Sequence, residues 1–441
     1  MNTTAQPAAK KLQRAWAMYD WGNSAYNLVI TSTIFPAYYI AITTNDKAAV
    51  TDSVSFFGME ITNTVLSDYT LSIAYLIIAF LSPILSSIAD YKGNKKKYMR
   101  FFTYMGAIAC CGLFLFTKEH IELGIILFGL AAVGYCGSLV FYNAYLPEIA
   151  PEQDRDRVSA QGFAYGYIGS VLLQIVCLVF VLKGEWFGID EGIASRLSFL
   201  LVGIWWLGFA QIPLRKLPKG VALKQHPEKS VLTNGFHELK KVWQQVKQLP
   251  VLRTYLGAFF FYSMGVQTVM LAAAAFGKKE LGLATDQLIT TILIIQLVAI
   301  AGAYVMAKLS ERFGNLNVLI GVVIIWIGIC IYAYFIQTVT QFYIIATFVG
   351  LVMGGIQSLS RSTYSKLMPE TKDTASFFSF YDVTEKLAIV IGLFSFGFIE
   401  QVTGSMRKSV LAVLVFFVIG GIILYIARQT AIRERTRSSV I

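Results

Sequence analysis

Long apolar stretches alternate with short polar segments along the whole chain. The apolar stretches are about 20 residues long, which is the length that an α-helix needs to cross the hydrocarbon core of a bilayer. Because lipid offers the backbone no hydrogen-bond partners, each stretch is predicted to be helical. The pattern predicts twelve spans, at about 20–42, 68–89, 98–117, 121–145, 160–182, 197–213, 252–275, 286–307, 316–336, 341–364, 377–399 and 409–428.

The composition agrees with this prediction. Of the 441 residues, 56% are hydrophobic and 14% are charged, and the mean hydropathy is +0.60. About a quarter of the residues in an ordinary soluble protein are charged, so a soluble chain with a very large core is disfavoured. We expect an all-α integral membrane protein that contacts membrane lipid.

The formal charge of +11 has a strongly asymmetric distribution. Most Lys and Arg residues lie in the two termini and in every second loop, which predicts that these segments and both termini are cytoplasmic. The charge therefore indicates membrane orientation and not a nucleic-acid partner. The first span is too long and lacks a small-residue cleavage site, so we expect it to remain as a span and not to be a signal peptide.

Matching segments in the two halves of the chain indicate an internal repeat. "SSIADYKGNKKKY" follows the second predicted span and "AKLSERFGNLNVL" follows the eighth, so that Asp90 corresponds to Glu311. "FYNAYLPE" and "TYSKLMPE" end the fourth and tenth spans at nearly the same offset. Repeats of this kind are typical of carriers built from two helical bundles. We predict six-helix bundles over residues 1–213 and 252–441, joined by a cytoplasmic loop at 214–251.

The long loop allows two interpretations. It is either a plain linker, or it contains a surface helix at Asn234–Gln248 with apolar residues on one side.

The segment after the second span resembles the G-x-x-x-D-R-x-G-R-K loop of the major facilitator superfamily. Ser86, Asp90, Gly93, Lys95 and Lys96 stand at the matching places, with Ser in place of the first Gly. The resemblance implies the major facilitator fold of two six-helix bundles and transport by alternating access. It leads to the hypothesis that Asp90 and Glu311 latch one conformation, while Gly93 permits a tight turn. Ordinary helix capping by Asp90 is the alternative.

Further motifs resemble the permeases grouped with the fungal vacuolar amino-acid effluxer that acts in autophagy. They run from the first span to the eleventh: "YDWGNSAY", "YNAYLPEIA", "GYIGSVL", "GVQT", "GGIQSLSRSTYSKLMP" and "FFSFYDV". The chain departs from this pattern at Ser263-Met264, where members often show Asn-Asp, and at Glu385, where a small residue is usual. The resemblance implies amino acids as substrates, and these departures concern polar positions inside spans.

The polar residues of the first span follow a helical period. Asp20, Asn23, Ser24, Asn27 and Thr31 recur at the spacing of one helix face, while Trp16, Tyr19 and Trp21 are suited to the membrane interface. Polar groups in hydrocarbon are costly, so this face should turn toward protein or water. The superfamily resemblance implies that it lines the central cavity, and helix-to-helix hydrogen bonding is the alternative.

Other candidates for contact with the solute lie in the remaining motif segments. The seventh span offers Tyr262 and Gln267, and the tenth offers Arg361, whose guanidinium can hold a carboxylate bidentately. Arg361 could instead pair with Asp382, Glu385 or Glu370. The remaining candidates in these segments are Tyr142, Asn143 and Gln357.

The eleventh span contains three ionisable residues. Asp382 and Lys386 are four residues apart and can pair on one helix face, whereas Glu385 is expected to point elsewhere without this partner. A carboxylate in a low-dielectric setting binds protons more readily, so Glu385 or Asp20 is a candidate for proton coupling. A structural network with Arg361 is the alternative.

The sequence therefore predicts a secondary active transporter of a small organic solute in a cytoplasmic (plasma or inner) membrane, with proton coupling open. Peptides, drugs and sugars remain alternative solutes, and a transporter-like sensor is a further alternative. An intramembrane enzyme is disfavoured because no nucleophile with its base is recognisable. We predict no metal and no cofactor, since the five cysteines lie inside apolar segments without metal-type spacing.

Overall fold

The computed structural model describes residues 5–44, 52–220 and 231–438, and this part of the chain is almost entirely helical. Eleven of its helices are long and apolar enough to cross a membrane by length and composition. Large apolar side chains such as Phe80, Ile108, Ile324 and Phe394 are more than half exposed on the outer faces of helices. Such exposure is unfavourable in water and is typical of faces that contact lipid.

Contacts between residues divide the chain into two compact units. Unit 1 comprises the described parts of Met1–Ser82, Lys92–Tyr142 and Tyr165–Leu223. Its elements are α1 (Ala5–Ala25), α2 (Ile34–Thr43), β1 (Ser53–Phe56), β2 (Met59–Thr62), most of α3 (Asn63–Lys92), α4 (Lys95–Gly112), α5 (Ile121–Asn143), the greater part of α7 (Arg155–Leu182) and α8 (Glu191–Lys216). Its core includes Phe35 stacked on Phe128, with ring centroids 3.9 Å apart.

Unit 2 comprises Pro83–Tyr91, Asn143–Ala164 and the described part of Lys224–Ile441. It contains the end of α3, α6 (Leu146–Ile149), the start of α7, α9 (Val231–Gln248), α10 (Pro250–Leu281), α11 (Thr285–Phe313), α12 (Asn315–Phe335), α13 (Val339–Leu367), α14 (Thr374–Thr403) and α15 (Met406–Ser438). Trp326 stacks on Phe417 in its core. Two segments from the first half of the chain thus belong to unit 2, and the division at 213 and 252 stays a prediction.

The division between the units falls inside two helices. In α3 it falls at Pro83, where the missing N–H removes one backbone hydrogen bond from the helix. In α7 it falls between Ala164 and Tyr165, so that the first ten residues of this helix belong to unit 2 and the rest to unit 1.

The first span is not the straight helix that its periodicity predicts. A π-helical turn at Tyr26–Thr31 follows α1 and precedes α2. A π turn has a wider hydrogen-bond period than an α-helix, so Thr31 does not continue the line of the polar face. The predicted interface positions of Trp16 and Tyr19 are also wrong, because both side chains are fully buried.

A short β-hairpin between the first two spans was not predicted. Strands β1 and β2 pair antiparallel, with Phe56 opposite Met59 across the turn. Phe57 and Gly58 both have positive φ, as a type I′ hairpin turn requires. The alternation of polar and apolar residues in these two four-residue strands is too short to be recognised beside the long apolar runs.

Helix α14 contains the predicted eleventh span, 377–399, but it is not among the eleven helices counted as candidate spans. It is 30 residues long and carries Asp382, Glu385 and Lys386 in its first half. The other eleven predicted spans coincide with the candidate helices.

The long loop contains a helix. Helix α9 covers the predicted surface helix, and residues 221–230 of the loop lie outside the described residues. Val242 and Val246 are fully buried, and Trp243 stacks on Phe380 of α14 at 6.0 Å. The interpretation as a plain linker is therefore wrong for this part of the loop.

Candidate functional site

The polar face of the first span contributes a buried carboxylate to unit 1. Asp20 is 5% exposed, and its Oδ2 accepts a hydrogen bond of 2.7 Å from the hydroxyl of Tyr142. Tyr142 is fixed in turn by Trp16, which stacks on its ring at 4.3 Å and donates from Nε1 to its carbonyl oxygen. Two predicted candidates from different spans, Asp20 and Tyr142, are therefore in direct contact.

The other residues of this face are less completely bonded. Asn23 is buried, and its Nδ2 has no hydrogen-bond partner among the described residues. Ser24 is half-buried and faces Gly166 of α7, where any side chain would collide with its hydroxyl. Asn27 is half-buried within the π turn, and the buried Thr31 hydroxyl is also without a partner among the described residues. Asn23 Nδ2 and the Thr31 hydroxyl thus keep hydrogen-bonding capacity that the described residues do not use.

Arg361 lies in unit 2 and is 3% exposed. Its Nε and Nη2 donate to Oγ and O of Ser159, and its Nη1 donates to Oδ1 of the predicted candidate Asn143 at 3.1 Å. The guanidinium also lies 4.3 Å from the centroid of the Phe163 ring, a cation–π contact. Arg361 thus ties α13 to the start of α7 and to the end of α5.

The polar residues of the seventh span lie at two separate places in unit 2. The Tyr262 hydroxyl contacts the hydroxyls of Tyr255 and Ser360 at 3.1 and 2.8 Å. Gln267 donates from Nε2 to Glu385 at 3.2 Å. Gln357 of α13 is half-buried and donates to the sulfur of Met270.

The charged residues of α14 form one cluster around Lys386. Its Nζ lies 3.4 Å from Oδ1 of Asp382, the predicted partner four residues away, and 3.0 Å from Oε2 of Glu385. The expectation that Glu385 points away from Lys386 is wrong, because the long lysine side chain reaches both carboxylates. Asp382 is 2% exposed, and its Oδ2 has no hydrogen-bond partner among the described residues.

Asp90 caps a helix far away in the sequence. Its carboxylate accepts hydrogen bonds from the backbone N–H groups of Ala375 and Ser376 and from the Ser376 hydroxyl, in the first turn of α14. A carboxylate at this place satisfies unpaired donors and interacts favourably with the helix dipole. Gly93 has φ of +60°, as the predicted tight turn requires.

Glu311 does not make contacts like those of Asp90 in the described part of the chain. It is exposed on α11, and the described part of the chain shows no hydrogen bond or ion pair to it. The equivalence suggested by the repeat therefore does not extend to the contacts.

Sequence reasoning missed a second buried carboxylate, Asp156. It is 2% exposed and binds Lys366, Ser310 and Asn315. It lies in the polar segment "PEQDRDR", whose composition is that of an ordinary solvated loop, and no local pattern distinguishes it. Among the described residues, no group of three His, Cys, Asp or Glu side chains could hold a metal ion.

Comparison with known proteins gives consistent matches over almost the whole chain. Residues 8–436 match the family model described as "Vacuole effluxer Atg22 like". The chain is 33% identical over 425 residues to the MFS-type transporter YxiO of Bacillus subtilis (strain 168), covering 96% of both chains. It is 25% identical over 452 residues to autophagy-related protein 22 of Eremothecium gossypii, covering 91% of this chain and 88% of the relative.

Solved structures show the same fold. The human organic anion transporter MFSD10 superposes with a TM-score of 0.72 at 10% identity, over 94% of this chain and 99% of that one. A variant of the E. coli fucose:proton symporter FucP superposes with a TM-score of 0.67 at 15% identity, over 95% and 98%. These relatives and neighbours are transporters of the major facilitator superfamily and not enzymes, and the fold is the one that the sequence predicts.

Proposed function

Because this chain belongs to the Atg22-like family of major facilitator superfamily transporters, we propose that it is a secondary active carrier of amino acids that works by alternating access. We place this multi-pass protein in a cytoplasmic (plasma or inner) membrane with both termini cytoplasmic, and we assign it no enzymatic activity. The bacterial relative YxiO supports the choice of membrane, and the family description as an effluxer supports export.

The observation that carries this proposal is the set of buried polar side chains in helices long enough to span a membrane. Asp20 and Asn23 in α1 and Arg361 in α13 are each at most 5% exposed. Ionisable groups inside spanning segments are expensive and mark solute or ion pathways by default. An amino acid carries one carboxylate and one ammonium group, so it needs both a cationic and an anionic partner, and the spans supply both kinds.

Arg361 is our candidate for the solute carboxylate. The acceptors that hold its guanidinium at Ser159 and Asn143 are neutral oxygen atoms. A carboxylate that took their place would form charge-assisted hydrogen bonds, which are roughly twice as strong as neutral ones. The exchange of neutral acceptors for an anion would therefore favour binding of the solute.

The cluster on α14 is our candidate for proton coupling. Two carboxylates, Asp382 and Glu385, share the single ammonium group of Lys386, so the cluster carries one uncompensated negative charge when all three groups are ionised. Burial disfavours such a charge, and uptake of one proton neutralises it. Asp20, which is bonded to the Tyr142 hydroxyl, is the other candidate.

A thermal-stability screen of the purified protein tests the substrate class. A ligand that binds the folded state raises its melting temperature, by an amount that grows with concentration. We expect amino acids to raise it and sugars, peptides and cationic drugs to leave it unchanged. Uptake of the radiolabelled hit into proteoliposomes then separates a carrier from a sensor, because a sensor binds without net uptake. A shift by another solute class alone would refute amino acids as the substrate.

A further inference from the structure

The second half of helix α9 has two different faces. Val242 and Val246, four residues apart, are fully buried where α9 packs against α10 and α14 of unit 2. Lys240, Gln244 and Lys247 recur at helical spacing on the other side, and all three are exposed. The two valines therefore attach the helix to unit 2 and leave a polar, basic face uncovered.

Trp243 lies at the border between these two faces. Its ring stacks on Phe380 of α14, with the centroids 6.0 Å apart, and Lys247 Nζ lies 5.4 Å from the centroid of the same ring. The side chain is nevertheless 42% exposed. A half-exposed indole beside a lysine is typical of positions at a membrane–water interface.

Phe380 begins an apolar line that runs along the outer side of α14. The residues that follow it on this side recur every three, four or seven positions, and each is at least 39% exposed: Leu387, Ile391, Phe394, Phe398 and Val402. From Phe380 to Val402 the helix rises about 33 Å, at about 1.5 Å per residue, which is close to the thickness of the hydrocarbon core. Phe380 therefore lies at one boundary of that core, and Trp243, which covers it, lies at the depth of the lipid headgroups.

The charge of α9 at this depth is positive. Its described side chains, from Lys240 to Gln248, include three lysines and no carboxylate. Lys241 lies 3.9 Å from Asp373, whereas the described residues show no ion pair for Lys240 or Lys247. Two ammonium groups thus stand close to the indole, and their charge is complementary to an anionic headgroup.

We propose that Trp243, Lys240 and Lys247 bind an anionic phospholipid of the leaflet at which α14 begins, and we call these three residues the α9 lipid site. In the topology proposed above, this is the cytoplasmic leaflet, whose anionic lipids attract basic segments. The indole lies between headgroup and acyl chains, and the two ammonium groups pair with the phosphate. A phosphatidylcholine headgroup neutralises its phosphate with its own cation, so the site prefers lipids with a net negative charge.

Tryptophan fluorescence of the full chain in nanodiscs tests this site. The quenchers are phosphatidylglycerol and phosphatidylcholine brominated on the acyl chain near the headgroup, each titrated at equal mole fractions into a phosphatidylcholine bilayer. The chain has seven tryptophans, so the signal of Trp243 is the difference between the native chain and Trp243→Phe. Phenylalanine keeps an aromatic ring against Phe380.

The test variant combines Lys240→Gln with Lys247→Gln. The matched control combines Lys92→Gln with Lys97→Gln, which removes the same charge from two exposed lysines of the basic segment after the second span. We expect brominated phosphatidylglycerol to half-quench native Trp243 at a mole fraction at least about fivefold lower than brominated phosphatidylcholine, since one lysine near an anionic surface contributes a factor of this order. This ratio should fall to about one in the test variant and stay unchanged in the control. Arginine at both positions should preserve it.

Equal quenching by the two lipids in the native chain would overturn the α9 lipid site, as would an equal loss of preference in the control. Failure of both lipids to quench Trp243 would show that the indole does not lie at the membrane, with the same consequence. Loss of the preference on addition of glycerol 3-phosphate at constant ionic strength would assign the lysines to a soluble anion instead. None of these measurements needs a transported solute, so the site is decided even if the proposed function fails.

Discussion

The hydroxyl of Tyr142 donates to the carboxylate of Asp20 over 2.7 Å and thereby joins the end of α5 to the last third of α1. Trp16, one turn before Asp20, covers the Tyr142 ring and binds its backbone. The tyrosine has little freedom to leave the carboxylate. Any solute or proton that reaches Asp20 therefore meets a carboxylate that already has one hydrogen-bond donor.

Replacement of Tyr142 by Phe removes this donor and leaves a buried carboxylate oxygen without it. We expect the free energy of unfolding to fall by about 1.5–3 kcal/mol, since the bond is made to a charged group. Tyr39→Phe is the control, because the Tyr39 hydroxyl is buried and has no hydrogen-bond partner among the described residues. Thermal unfolding in detergent measures both, and equal losses would contradict the importance of the bond.

Asp90 stabilises the first turn of α14. We expect Asp90→Ala to lower the free energy of unfolding by about 1 kcal/mol, as loss of a helix N-cap typically does. Ser86→Ala on the same helix is the control, since the buried Ser86 hydroxyl lacks a hydrogen-bond partner in the described structure. The melting temperatures of the two variants are compared under one condition. A larger loss for Ser86→Ala would speak against capping.

Arg361→Lys separates the geometry of the guanidinium from its charge. An ammonium group cannot reproduce the planar fork that bonds to Ser159 and Asn143 and contacts Phe163. We expect a loss of about 1–3 kcal/mol in unfolding free energy and a raised KM for the transported solute. Arg253→Lys, at an exposed arginine of α10, should change neither quantity. An unchanged KM in Arg361→Lys would remove this residue from solute binding.

Amide variants test the proton-coupling cluster of α14. We expect Glu385→Gln or Asp382→Asn to reduce solute-driven proton flux at least about tenfold, because an amide cannot take up the proton that neutralises the cluster. Exchange of labelled solute across the membrane should persist. Glu400→Gln is the control on the same helix, since Glu400 pairs with Lys279 near its other end. The flux is followed with a pH-sensitive dye inside proteoliposomes, and unchanged flux in Asp382→Asn, Glu385→Gln and Asp20→Asn would end the proposal.

Local features of the molecule were predictable from the sequence. The spans follow from the length of the apolar runs, and the pair of Asp382 and Lys386 follows from their spacing on a helix. The positive φ of Gly93 follows from the need of a short turn between two helices. Each of these depends on residues close together in the chain.

The contacts of Asp156 show why the remainder was not predictable. Asp156 bonds to residues more than 150 positions away, and its own neighbours in sequence have the composition of a solvated loop. The π turn at Tyr26–Thr31 was also not predicted, because its residues continue the helical spacing of the first span. For Asp156, contacts with residues distant in the chain decide the outcome, and these contacts cannot be read from its neighbours in the sequence.

The length of helix α7 amplifies a small change in its tilt into a larger displacement of its ends. Its 28 residues form a rod about 42 Å long, at about 1.5 Å per residue. A tilt of about 10° about its middle would move each end by roughly 4 Å, which is more than the length of a hydrogen bond. Such a displacement exceeds the reach of the hydrogen bonds that Asp156 and Ser159 make at the start of the helix. The length of this one helix would thus convert a small change in its tilt into the loss of the hydrogen bonds at its start.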